Sequence, residues 1–124
     1  MTRGIRGATT IDENNEDHIL ATTKTLIEDM IIQNNVKAEA VSHVFISVTK
    51  DIDACFPAKC LREIPGWTHV PVMCMQEISV PNSLEKCIRV MMVVNTLVPQ
   101  QEVHHIFHNQ AIKLRPDLIK KTGE

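Results

Sequence analysis

The chain has no tyrosine, one tryptophan and three phenylalanines among its 124 residues. Phe45, Phe56, Phe107 and Trp67 are too few and too scattered to form a stacking platform for single-stranded nucleic acid. Neither sign of charge dominates. The formal net charge of −2 leaves no general basic face for nucleic acid or an anionic membrane, so any basic site must be local. No apolar run approaches the roughly 18 residues of a membrane-spanning helix. The four cysteines, Cys55, Cys60, Cys74 and Cys87, include no CxxC pair and no finger spacing. No glycine-rich phosphate loop occurs either, because RGIRG is neither a Walker motif nor a dinucleotide fingerprint. The start, MTRGIRGATT, lacks the apolar core of a signal peptide. The expectation is a cytoplasmic protein with reduced core thiols.

What is present fits one domain, expected over residues 1–117, followed by a polar tail over 118–124. Apolar residues make up 44% of the chain and charged residues 23%, an ordinary globular composition. Arg3 to Thr9 reads as a strand with Arg6 and Ala8 on one face and Ile5 on the other. Its glycines suggest close backbone approach or a bulge. Asn15 is a plausible N-cap. From there Ile19, Leu20, Thr23, Leu26, Ile27, Met30 and Ile31 recur at helical spacing until Asn34 and Asn35. Strands are expected at Val44–Thr49, Val70–Gln76 and Cys87–Thr96, with a gap in the second at Pro71. A short helix is expected at Ala58–Ile64, stopped by Pro65-Gly66, and a helical turn between Pro99 and His105. Ile106-Phe107 and Ala111–Leu114 are weak strand candidates. The pattern is a mixed α/β (α+β) domain, with one long helix and short helices on a small mixed sheet of about five strands. So small a sheet leaves edges and one face poorly covered, and oligomerisation is a natural remedy.

Arg89 is the residue out of place. It interrupts CIRVMMVV, a run whose other members are all apolar. An arginine in a core run needs an anion, because its guanidinium stays charged and carries five donors. Glu77, at the end of the preceding strand, and an anionic ligand are equal candidates. Arg6 sits between glycines, Arg115 precedes a proline, and Lys59 and Arg62 share one face of a short helix. Each of these alone reads as a surface charge or a structural pair. His104, His105 and His108 lack the glutamate of an HExxH metal site, so solvated histidines beside a turn are expected, with no metal. Cys74, flanked by Met73 and Met75, reads as a packed strand cysteine rather than a nucleophile.

Taken together and in order, RGIRGATT, FPAKCLREIPGW, VPVMCMQEISV, KCIRVMMVVNT and LRPDL resemble the AroH-class chorismate mutases, the monofunctional bacterial type. The similarity runs from about Arg3 to Asp117. The resemblance implies a homotrimeric pseudo-barrel with active sites between neighbouring subunits. It implies the cofactor-free Claisen rearrangement of chorismate to prephenate, in the route to phenylalanine and tyrosine. It assigns Arg89 to the ether oxygen, Glu77 to the substrate hydroxyl and Arg6 to a carboxylate. Phe56 and Ala58 match an apolar wall with Lys59 and Arg62 nearby. Met73 and Cys74 match strand positions beside substrate, and Leu114 and Arg115 the cleft rim. Phe107 stands where the family commonly has tyrosine, and Met73 where it often has threonine, so this pocket is more apolar. Two other readings are a non-catalytic trimeric module binding a small dicarboxylate, and an imine deaminase of the RidA type, which the motifs fit poorly. The tail, Ile119 to Glu124 with Lys120 and Lys121, is expected to be disordered rather than a cover for the cleft.

Overall fold

The computed structural model describes residues 1–118, so the tail at 119–124 lies outside the described residues. Five strands form one sheet: β1 (Thr2–Thr10), β2 (Val41–Val48), β3 (Val72–Gln76), β4 (Cys87–Asn95) and β5 (Ile106–Phe107). Their order is β3-β2-β4-β1-β5. β4 runs antiparallel to both β1 and β2, whereas β3 is parallel to β2 and β5 is parallel to β1. Pro71 lacks an N–H, and β3 begins immediately after it, two residues later than its apolar pattern suggested.

The single long helix, α1 (Glu16–Asn34), covers one face of this sheet. Asn15 caps it as its sequence suggested, its side chain accepting from the His18 N–H at 2.9 Å. Glu16 and Asp17 in the first turn complement the helix dipole. Asn35 ends the helix in the left-handed region (φ 50°), a conformation asparagine tolerates. Ile19, Leu26, Ile27 and Met30 point down onto Ile5, Val44, Ile46, Ile88, Met92 and Val94, and all of these are buried. Thr23 joins them because its hydroxyl donates back to the Ile19 carbonyl at 2.6 Å.

Gly7 is needed where β1 passes under the helix. A methyl group added there would stand 2.3 Å from the sulfur of Met30, which is fully buried and has little room to yield. Gly7→Ala is therefore expected to destabilise the fold by about 1–3 kcal/mol, read as a lower urea midpoint with an unchanged slope.

The remaining turns are short 3-10 helices. Pro57–Glu63 sits where a short helix was expected, and Gln100–Glu102 fills the expected turn after Pro99. The proposed strand at Ala111–Leu114 does not form. Asn109–Lys113 winds into a 3-10 helix, with Ala111 as its buried residue. Asn109 starts it in the left-handed region, with its amide donating to Thr9 Oγ1 and the Thr10 carbonyl. Those bonds turn the chain out of the sheet after β5. A further 3-10 turn, Pro116–Leu118, ends the described chain.

Candidate active site

The alternation along β4 explains Arg89. Ile88, Val90, Met92 and Val94 face α1 and are buried, while Arg89 and Met91 face the opposite side of the sheet. Among the described residues no helix covers that side. Phe45, Met73, Met75 and Met91 lie on it, at 41%, 61%, 41% and 37% exposure. Arg89 is therefore in a central strand but not in the core, and its side chain is 52% exposed. The apolar run surrounds it because both faces of this strand are apolar, one packed on α1 and one bare.

On this open face Arg89 Nη1 meets Glu77 Oε2 at 2.9 Å. The strand ends bring the pair together. Glu77 follows β3 and is held to β2 by its own N–H, which donates to the Val48 carbonyl at 2.8 Å. Its carboxylate also accepts from the Ser47 hydroxyl at 3.1 Å and from the Ile78 N–H at 3.2 Å. Burial alone would raise the Glu77 pKa. The Ile78 N–H, the Ser47 hydroxyl and the Arg89 guanidinium outweigh it and hold the carboxyl below its ordinary value. The start of β4 is fixed in turn by Asp51, whose carboxylate accepts from the Lys86 N–H at 2.9 and 3.1 Å.

Arg6 enters from the next strand. Its Cα pairs with Met91 and that of Ala8 pairs with Arg89, so the two arginines are diagonal neighbours on one face. Phe107 pairs with Ala8 from the other side. Leu114 and Arg115 follow the 3-10 helix and complete a cleft of about 670 Å³ that Arg6, Glu77, Arg89 and Phe107 also line. Arg115 is clamped by Asp117 through two bonds, Nε to Oδ1 at 3.0 Å and Nη2 to Oδ2 at 2.9 Å.

The other expected site residues gather elsewhere. Phe56, Ala58, Lys59, Arg62, Met73 and Cys74 line a second cleft, of about 500 Å³, at the β3 edge of the sheet. Lys59 and Arg62 share one side of their 3-10 helix because it completes a turn every three residues. Lys59 Nζ reaches Glu16 Oε2 at 3.0 Å. The two clefts have no lining residue in common. Thus the expected site residues line two separate clefts of one chain rather than one pocket. A third concavity lies between the end of α1 and the ends of β1 and β4. It is lined mainly by Ile5, Val36, Val94, Val98 and Val103, and Lys37 is its one charged lining residue.

The cysteines do not suit nucleophilic chemistry. Burial pushes Cys60 up to about 12 and Cys87 up to about 11, and it raises Cys74 as well. Two histidines differ from the solvated residues expected of them. His108 Nε2 lies 2.7 Å from Asp29 Oδ2 on α1, and His105 Nδ1 accepts from the Arg6 N–H at 2.9 Å. Neither the His105 contact nor the Ser47 bond to Glu77 carries a local sequence signal, because both join residues distant along the chain.

Known proteins resemble this chain in sequence and in fold. A chorismate mutase AroH from Bacillus subtilis is 51% identical over 118 residues, 95% of this chain and 93% of the relative. A chorismate mutase AroH from Thermus thermophilus is 40% identical over 119 residues, 95% of this chain and 97% of the relative. The solved structure of a chorismate mutase from Clostridium thermocellum superposes with a TM-score of 0.84 at 46% identity, covering 87% of this chain and 96% of that one. The chain matches the chorismate mutase type I family over residues 2–118, nearly the whole described length, and it belongs to that family.

Proposed function

We propose that the protein converts chorismate to prephenate, as an isomerase of aromatic amino acid biosynthesis, in clefts formed where the open sheet face of one copy meets the β3 edge of another. The observation that carries this reading is the division of the site. Arg6, Glu77, Arg89 and Arg115 line one cleft and Lys59 and Arg62 line another, and a contact between copies would bring both sets of charges to one small dianion. The bare apolar face with Phe45, Met75 and Met91 supplies the surface for that contact. A homotrimer in the cytoplasm accounts for both the face and the two half-sites.

The reaction asks little of the protein beyond orientation and charge. Chorismate rearranges within one molecule. Its ether C–O bond breaks as a C–C bond forms, with no acid, base or nucleophile required. The catalyst must hold the compact chair-like conformer and stabilise charge that builds on the ether oxygen. Arg89, fixed on a central strand, donates to that oxygen and to a carboxylate. Arg6 binds a carboxylate. Glu77, kept ionised by its three donors, accepts from the substrate hydroxyl. Substrate therefore enters between Arg89 and Glu77 and replaces part of their ion pair. From the other half-site, Phe56, Ala58, Met73 and Cys74 supply an apolar wall that excludes water, with Lys59 and Arg62 as the flanking positive charges. Phe107 packs against substrate without a hydroxyl to donate.

The direct test follows chorismate by its ultraviolet absorbance. Purified protein is expected to accelerate the decay and yield prephenate. Decay at the uncatalysed rate would overturn the reading, and prephenate binding in calorimetry without turnover would point to a non-catalytic module.

A further inference from the structure

Arg6 lies just before the two-residue ladder between β1 and β5, which pairs Gly7 with Ile106 and Ala8 with Phe107. Its N–H is met not by a strand carbonyl but by a side chain, the Nδ1 of His105 at 2.9 Å. The same ring brings Nε2 to within 3.4 Å of Arg6 Nη1. One imidazole therefore touches both the backbone and the guanidinium of one arginine. With Nδ1 accepting, the proton of the neutral ring sits on Nε2. A flipped ring would set a carbon against the N–H and lose the bond. Nε2–H and the guanidinium N–H are then both donors. Their approach is a steric contact rather than a bond. Arg6 also lines the cleft with Glu77 and Arg89. The backbone leading into the ring is anchored. Asn34 on α1 grips the preceding residue from both sides, donating to the His104 carbonyl at 2.8 Å and accepting from the His104 N–H at 2.9 Å.

We infer that His105 is a positioning residue for Arg6, setting both the backbone and the aim of the guanidinium that binds a substrate carboxylate. The inference rests on the assignment of Arg6 to substrate. It explains why a histidine just before the last short strand should matter to a reaction that uses no acid or base. The neutral ring acts by shape and by one acceptor atom, and it does not transfer a proton.

The test compares chorismate kinetics of the wild type with His105→Leu, His105→Asn, Arg6→Ala and the Arg6→Ala/His105→Leu double variant, each checked for unchanged assembly and melting. His105→Leu is expected to raise KM about tenfold, the effect of one lost hydrogen bond to a group that orients a charge, with kcat within about threefold of wild type. His105→Asn is expected to restore most of that KM, since its Oδ1 falls near the place of Nδ1. The double variant is expected to be no worse than Arg6→Ala alone, because His105 acts through Arg6. If leucine prevents folding, His105→Gln, whose amide reaches past the Arg6 N–H, takes its place. A normal KM for His105→Leu beside a raised KM for Arg6→Ala would overturn the inference, as would a double variant whose loss is the product of the two single losses. A normal KM for Arg6→Ala would instead remove Arg6 from the site, and the role of His105 would fall with it.

Discussion

Arg89→Lys is expected to lower kcat by several hundredfold, about 3–4 kcal/mol of barrier, while leaving the fold and the assembly unchanged. The charge survives this substitution, so the loss isolates geometry. In the described structure only Nη1 of Arg89 is engaged, by Glu77. The rest of the fork is available to the ether oxygen and a carboxylate together. An ammonium is a compact point charge at the end of a flexible stem, and it cannot hold Glu77 and two substrate atoms in one plane. The strand around Arg89 does not depend on it. Its neighbours Ile88 and Val90 are anchored under α1, and its ion pair is half-exposed, a setting in which such pairs contribute about 0–1 kcal/mol. Ultraviolet kinetics together with urea unfolding separate the two effects. Near-normal kcat would remove Arg89 from the reacting centre.

Mixing two inactive variants is expected to restore activity. Arg89→Ala disables the half-site on the open sheet face. Lys59→Ala combined with Arg62→Ala disables the half-site at the β3 edge, which lies in a separate cleft of the same chain. In the proposed homotrimer, either variant alone has three damaged sites. When the two are co-expressed and assemble at random, each site draws its face from one copy and its edge from the next. One site in four then receives both intact halves, so turnover should return to roughly a quarter of wild type. Differently tagged chains purified through both tags supply only the mixed trimers, in which one site in three is intact, so turnover there should rise to roughly a third of wild type. If instead a single chain held the whole site, mixed assemblies would show only the average of the two parents.

Much of this molecule was legible in its sequence because its signals are local. The spacing of Ile19, Leu26, Ile27 and Met30 located α1, and Asn15 and Asn35 marked its ends. Alternation located the four longer strands, and even the pair Ile106-Phe107 forms a strand. The misreadings occurred where distant residues decide. Ala111–Leu114 has a plausible strand composition, but bonds from Asn109 to Thr9 and Thr10 wind the neighbouring residues into a helix. The run around Arg89 reads as core because alternation between two apolar faces looks the same as burial. The candidate site residues were visible in the motifs, but their division between two clefts was not, since that depends on strand order. Ser47 and His105 carried no signal, because their partners Glu77 and Arg6 lie 30 and 99 residues away along the chain.

The strand order also bears on how the chain is made. β1 is synthesised before the other strands, yet among the described residues its sheet partners are β4, which pairs Thr2 with Asn95, and β5 at Ile106–Phe107. During translation β1 and α1 therefore wait, without their sheet, until β4 and β5 have left the ribosome. Pairing across such separations is slow and leaves strand edges exposed in the meantime. Yield in cells should therefore respond to chaperone supply and growth temperature more strongly than the stability of the finished protein would suggest.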